Sequence, residues 1–223
     1  METINQVYGL VGYRLSHSFS RNFFNEKFTN EKIAAEYRNF EIDRIEDIRL
    51  VVEETPELCG LNVTIPYKES IIPYLDEMDG TAQMIGDSIR PYIKDHHQKA
   101  LILGTGGASK AVWYGLLSLG ITPQLVSRTA QEGIFCYDDL TSEILDEYKI
   151  IVNTTPLGMY PQTETCPDIP YSYITPLHLA YDLVYNPETT LFLEKCAHQG
   201  ATIKNGLEML LLQAYASWEI WNK

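Results

Sequence analysis

Positive charge is scarce in this 223-residue sequence: 17 Lys and Arg stand against 30 Asp and Glu, a formal net charge of −13. That balance argues against nucleic acid as a partner, because phosphate contacts need a basic face. No apolar run is long enough to cross a bilayer, and the opening METINQVYGLVGY lacks the regions of a signal peptide. A cytoplasmic protein with no membrane partner is therefore expected, as a monomer or homodimer. Cysteine is sparse as well. Cys59, Cys136, Cys166 and Cys196 are scattered without a C-x-x-C pair, which favours reduced structural thiols over disulfides or a metal site. His17, His96, His97, His178 and His198 lack ligand spacing, and the pair His96-His97 reads as solvated. Internal repeats and low-complexity tracts are missing too. What is present is 45% hydrophobic residues, enough for a real core without disulfides or metal. An acidic chain that binds an anion must concentrate its few cations locally, so isolated Lys and Arg in loop motifs carry the most information.

Val7–Gly12 is a short apolar run ending in glycine, a strand entering a loop. Arg21–Phe28 carries aromatics at helical spacing, Glu36–Ile42 reads as a strand and Ile45–Glu54 as a helix. Leu61–Ile65 is a β-branched strand stopped by Pro66, and Glu69–Gly86 reads as mostly helical. The second half has a clearer rhythm. Strands are expected at Lys99–Leu103, Gln124–Ser127, Ile150–Asn153 and Leu179–Val184, with helices at Lys110–Leu119, Leu140–Glu147 and Thr189–His198. Strands alternating with helices imply an α/β fold on a parallel sheet with right-handed crossovers. A last helix over Leu207–Trp221 is apolar and aromatic, so it should pack on something large.

Gly104-Thr105-Gly106-Gly107-Ala108-Ser109 lies between a strand and a helix, the context a dinucleotide fingerprint requires. Gly104 permits the tight turn, Gly106 lets backbone approach a pyrophosphate, and the helix N-terminus offers N–H groups. The next strand ends in Ser127-Arg128-Thr129. An acid at that place takes the ribose 2′-hydroxyl of NAD, whereas an arginine accommodates a 2′-phosphate, so NADP is the expected cofactor. The plain alternatives are a tight turn and a solvated arginine.

In the first half, Asn62 and Thr64 share a strand face by alternation, and Lys68 follows just past Pro66. Ser18 and Ser20 follow the first loop. Taken singly these have ordinary explanations: Ser20 as an N-cap, Thr64 as a strand residue, Lys68 as a solvated helix start.

Seven motifs together say more. GLVGYRLSHSFS, GLNVTIPYKE, LILGTGGASKA, SRT, VNTTPLGM, YDLVY and NGLEMLLLQA, in this order from end to end, resemble the shikimate dehydrogenase family. The resemblance implies an N-terminal α/β substrate domain (residues 1–86), a Rossmann-like NADP-binding domain (87–204), and a C-terminal helix (205–223) that returns to the first domain. It implies reversible hydride transfer between NADPH and 3-dehydroshikimate, giving shikimate, with a quinate-type substrate as an alternative. By the same resemblance Ser18 and Ser20 hold the substrate carboxylate with Tyr185, and Thr64 and Gln213 bind ring hydroxyls. Lys68 is then the catalytic lysine. Gly104, Thr105, Gly106, Gly107 and Ala108 form the NADP loop, Ser127, Arg128 and Thr129 the phosphate clamp, and Leu183 and Gly206 line the nicotinamide.

The chain departs from the family twice. The clamp lacks the second arginine, reading Thr129-Ala130-Gln131-Glu132. More seriously, family members continue from an Ile-Gly like Ile85-Gly86 into an Ala-Val-Asn strand, a loop and an Asn-Thr/Ser-Asp motif. Here Gly86 joins directly to Asp87, and neither Asp87 nor Asp95 has the matching context, so the catalytic aspartate and a substrate asparagine have no counterpart. One expectation is a longer natural polypeptide, with Gly86 and Asp87 far apart in space. Another is a relative that binds nucleotide without catalysing.

Overall fold

In the computed structural model, residues 5–15, 18–64, 66–68, 70–74 and 82–222 are described, without the side chains of 72 and 82–85. The chain divides into two units, residues 1–78 with 214–223, and residues 79–213.

The first unit alternates strand and helix. Strand β1 (Gln6–Gly12) leads to helix α1 (Phe19–Glu31), β2 (Ala35–Glu41), the short α2 (Ile48–Glu53) and β3 (Leu58–Val63). The three strands form a parallel sheet in the order β2-β1-β3. Helix α1 starts two residues before the expected Arg21 because Ser18 caps it, its Oγ accepting the Arg21 N–H at 3.1 Å. Phe24 and Phe28 then face Tyr8 and Tyr37 in a buried aromatic cluster. Residues 214–222 supply its lid: Ala214, Trp218 and Trp221 pack there, with Trp221 stacked on Tyr8 at 4.8 Å. The apolar character of the last helix is accounted for by this burial.

The second unit begins with α3 (Ala82–Ile89), whose Ser88 hydroxyl is buried against the Tyr181 hydroxyl at 2.9 Å. There follow β4 (Lys99–Leu103), α4 (Gly107–Ser118), β5 (Thr122–Ser127), β6 (Phe135–Cys136) and α5 (Ser142–Glu147). Then come β7 (Ile150–Asn153), β8 (Leu179–Asp182), α6 (Leu191–His198), β9 (Thr202–Lys204) and α7 (Leu207–Trp221), whose residues from Ala214 onwards belong to the first unit. The sheet is wholly parallel in the order β6-β5-β4-β7-β8-β9. The connections reverse direction between β4 and β7, and in such sheets ligands bind outside the carboxyl ends of the strands at that switch.

Several sequence expectations need correction. Strands β6 and β9 are too short to leave a periodic signal and were not expected. Within Glu69–Gly86 the described residues hold one 3-10 turn (Ile72–Tyr74) and the start of α3. Gly86 and Asp87 are consecutive in α3, and Asp87 lies one turn from Arg90 with an N···O separation of 3.6 Å, so the expected wide separation is not there. His97 is buried rather than solvated: its Nδ1 accepts the Lys94 N–H at 3.0 Å, which leaves Nε2 to donate to the Leu177 carbonyl at 3.1 Å. His178 is used the same way, between the Thr175 N–H and the Leu145 carbonyl, and burial lowers the pKa of both rings. Among the described residues, no helix is long and apolar enough to cross a membrane.

Candidate functional site

In the first unit the predicted residues gather at the carboxyl edge of the sheet. Val11 and Val63 are in register, and the Thr64 N–H still donates to the Val11 carbonyl at 2.9 Å. Pro66 has no N–H, so the ladder cannot continue through it. The chain turns back instead, Tyr67 N–H to Thr64 carbonyl at 2.9 Å. The nearly buried Tyr67 anchors the turn by donating its hydroxyl to the Ile42 carbonyl at 2.7 Å. Lys68 is the next residue. Its side chain reaches solvent, yet desolvation by the protein packed around it lowers its pKa below the ordinary lysine value.

The loop from β1 to α1 is held at the same edge. The Arg14 and Leu15 N–H groups donate to the two Glu41 carboxylate oxygens at 3.1 and 3.2 Å, and Asn39 Nδ2 donates to the Leu15 carbonyl at 2.9 Å. His17 lies outside the described residues. Ser18 follows as the cap of α1, and Ser20 stands in its first turn. Ser18, Ser20, Thr64 and Lys68 therefore belong to one sheet edge.

In the second unit β4 ends at the glycine turn. Gly104 has φ +116°, a conformation strained for any residue with a Cβ, and such a Cβ would stand 2.7 Å from Thr154 Oγ1. The Gly104 N–H donates to the Val126 carbonyl at 2.9 Å, and the Thr154 hydroxyl to the Leu103 carbonyl at 2.7 Å. Gly106 caps α4, which begins at Gly107 rather than at the expected Lys110. The space where a Gly106 side chain would stand is open, with Thr105, Gly107 and Ala108 exposed around it. Ser109 turns inward and donates to the Gly106 carbonyl at 2.6 Å. An open backbone turn at the start of a 12-residue helix is a cradle that fits a pyrophosphate. One strand over, β5 ends at the buried Ser127, whose Oγ accepts the Thr129 N–H at 3.3 Å, and Arg128 is exposed between them.

Leu183 and Gly206 meet closely. A Cβ on Gly206 would stand 2.2 Å from the Leu183 carbonyl oxygen, so only glycine lets the two backbones pass. Gly206→Ala is expected to cost about 1–3 kcal/mol as overpacking, read as a Tm lowered by roughly 2–4 °C per kcal/mol. Thermal denaturation checks this, and an unchanged Tm would refute the close approach. Tyr185 is exposed in the loop after β8, and Gln213 is half-buried on α7. Tyr185 and Gln213 belong to the second unit, and Ser18, Ser20, Thr64 and Lys68 to the first.

Sequence reasoning passed over the group behind Leu183. Asp182 is fully buried at the end of β8 and accepts from Thr190 Oγ1 at 2.6 Å, the Val184 N–H at 3.0 Å and Asn153 Nδ2 at 3.0 Å. The available signal was an acid closing an apolar strand. Burial outweighs the three donors and pushes its pKa up to about 6. The folded protein then holds this proton to higher pH than the unfolded chain, in which the group titrates near 3.9. Asp182 accordingly contributes stability below about pH 4 that is lost as the pH rises through about 6. Against Asp182→Asn as reference, the protein should lose up to about 3 kcal/mol across that window. Denaturant titrations at pH 4 and pH 7 measure it, and a flat difference would refute the raised pKa.

The family described as the shikimate dehydrogenase substrate binding domain matches residues 10–88. The NADP(+) shikimate dehydrogenase of Clostridium beijerinckii is 34% identical to the chain, with 98% of this chain and 92% of that protein covered. The chain belongs to the shikimate dehydrogenase family. The Methanosphaera stadtmanae relative of the same name is 32% identical, with 96% and 90% covered. Among solved structures, the shikimate dehydrogenase of Aquifex aeolicus matches with TM-score 0.83 and 30% identity, covering 98% of this chain and 92% of that one. A family member solved in complex with NADP+ matches with TM-score 0.80 and 28% identity, with 97% and 90% covered. The two relatives align over 255 and 257 positions, more than the 223 residues of the whole chain. They therefore contain residues with no counterpart here, as the departure at Gly86-Asp87 implies.

Proposed function

We propose that this protein is an NADP-dependent oxidoreductase acting on a CH–OH group, which interconverts 3-dehydroshikimate and shikimate in aromatic amino acid (chorismate) biosynthesis. NADPH supplies a hydride when bound. Gly104, Thr105, Gly106, Gly107 and Ala108 would hold its pyrophosphate, Ser127, Arg128 and Thr129 its 2′-phosphate, and Leu183 and Gly206 would line the nicotinamide. Ser18 and Ser20, with Tyr185, bind the substrate carboxylate through neutral donors, and Thr64 and Gln213 bind ring hydroxyls. Lys68 gives a proton to the nascent alkoxide on reduction and takes it back on oxidation. The observation that carries this reading is Lys68 itself: a lysine of lowered pKa held one residue beyond an anchored turn, four residues past Thr64.

A second reading has its own observation. The relatives are longer in alignment, and the missing aspartate would leave Lys68 without an orienting carboxylate. A non-catalytic NADP-binding relative would bind cofactor and shikimate without turnover. Parallel assays of NADP+ reduction with shikimate and with quinate, calorimetric NADP+ binding, and the intact mass of the natural protein separate the possibilities. Binding without turnover would sink the enzymatic reading. Turnover with quinate alone would move the substrate.

A further inference from the structure

We propose that Asp182 is a positioning residue for the cofactor: by holding the Val184 N–H it sets the orientation of the Leu183–Val184 peptide, the wall on which the nicotinamide lies. The inference rests on the reading of Leu183 and Gly206 as the residues that line the nicotinamide.

Asp182 is the last residue of β8, and Leu183 and Val184 follow it directly. Its Oδ1 accepts the Val184 N–H at 3.0 Å. That N–H and the Leu183 carbonyl belong to one planar trans peptide and point to opposite sides of it. A carboxylate that captures the N–H therefore turns the carbonyl the other way. On that side stands Gly206, where a Cβ would lie 2.2 Å from the carbonyl oxygen. The neighbouring backbone groups are engaged as well: the Leu183 N–H donates to the Asn153 carbonyl at 3.0 Å, and the Gly206 N–H to the Val184 carbonyl at 3.3 Å. The side chain of Asp182 thus completes the set of bonds that decides how this peptide faces Gly206.

The carboxylate is itself held by donors of fixed direction. The Thr155 N–H donates to Asn153 Oδ1 at 3.0 Å, which leaves the Asn153 amide nitrogen to donate to Asp182 Oδ1, also at 3.0 Å. Thr190 Oγ1 accepts the Leu193 N–H at 3.4 Å as the cap of α6, and its own proton goes to Asp182 Oδ2 at 2.6 Å. An ionised carboxylate accepts from all three partners at once. Asp182, Asn153 and Thr190 are fully buried, so water does not take the place of a lost partner. Asp182 therefore joins the turn after β7, the chain after β8 and the start of α6. Burial also raises its pKa to about 6, so at neutral pH this acid opposes folding. Stability does not explain such a residue, whereas a preset wall does, because it saves the cost of ordering backbone when the cofactor arrives.

Calorimetric Kd values for NADPH and for 2′-phospho-ADP-ribose, the same molecule without its nicotinamide, test the proposal without requiring turnover. Asp182→Ala is expected to weaken NADPH about tenfold, the scale of one hydrogen bond to a charged group, and the shortened ligand far less. Asp182→Asn keeps an oxygen for Val184 and Asn153 and loses only the acceptor for Thr190, so NADPH should weaken about threefold. Thr190→Val removes the same bond from the other side and should match it, and the two changes combined should cost little more than either. These two milder variants keep the test open if Asp182→Ala fails to fold. Unchanged NADPH affinity in folded Asp182→Ala, or in both milder variants, overturns the positioning role. Equal weakening of the two ligands also overturns it, since a merely structural loss would affect both. Leu183→Ala tests the underlying reading separately: a selective loss of NADPH affinity leaves that reading standing whatever Asp182 does. If Leu183→Ala weakens NADPH no more than the shortened ligand, the nicotinamide reading falls and this inference falls with it.

Discussion

Lys68→Ala is expected to lower kcat for shikimate oxidation by about 100-fold or more, the range typical of a lost general acid–base group, while shikimate KM changes far less. The geometry explains why this residue and not a neighbour. Tyr67 is fixed from both sides, by its hydroxyl on the Ile42 carbonyl and by its N–H on the Thr64 carbonyl, so the following side chain leaves the turn in a set direction. Desolvation lowers the lysine pKa, which raises the fraction of neutral amine able to take a proton. The oxidation rate should therefore rise with pH through a pKa below the usual lysine value, and this limb should be missing from Lys68→Ala. Steady-state rates across pH check both points. Near-normal turnover in the variant would remove Lys68 from the mechanism.

Arg128→Asp is expected to weaken NADP+ by about 100-fold or more and to shift preference towards NAD+. The variant loses a charge-assisted contact with the 2′-phosphate and gains a repulsive carboxylate there, together a few kcal/mol. Arg128 is exposed at the end of β5, and β5 pairs with the strand that enters the glycine turn. No second arginine follows in Thr129-Ala130-Gln131-Glu132, so selectivity rests on one cation in a chain of net charge −13. Calorimetric Kd values for NADP+ and NAD+ test this. Equal affinities in the unaltered protein would refute the assignment.

The second unit was the more legible half because its signals are local. Ala100–Leu103 and Ile150–Val152 are buried on both faces, so each reads as an unbroken apolar run close to its strand's true boundaries. The glycine turn and Arg128 sit at strand ends that any parallel α/β arrangement exposes on one edge. Lys68 was less legible. From Pro66 and Lys68 alone a solvated helix start was the preferred reading, and the seven-motif resemblance, not spacing, singled the residue out.

The sequence by itself determined the α/β class, the glycine turn, the lone arginine at the end of β5 and the apolar last helix, because each depends on residues adjacent in the chain. It also showed the departure from the family pattern at Gly86-Asp87. Only the tertiary structure decided what pairs distant residues: Ser217 with Asn62, 155 positions away, and Asn153 with Asp182, 29 away. It also decided that His97 is buried and that α3 runs unbroken across the junction. These are matters of which polar groups find partners once water is excluded, and that depends on packing between elements which no local pattern encodes.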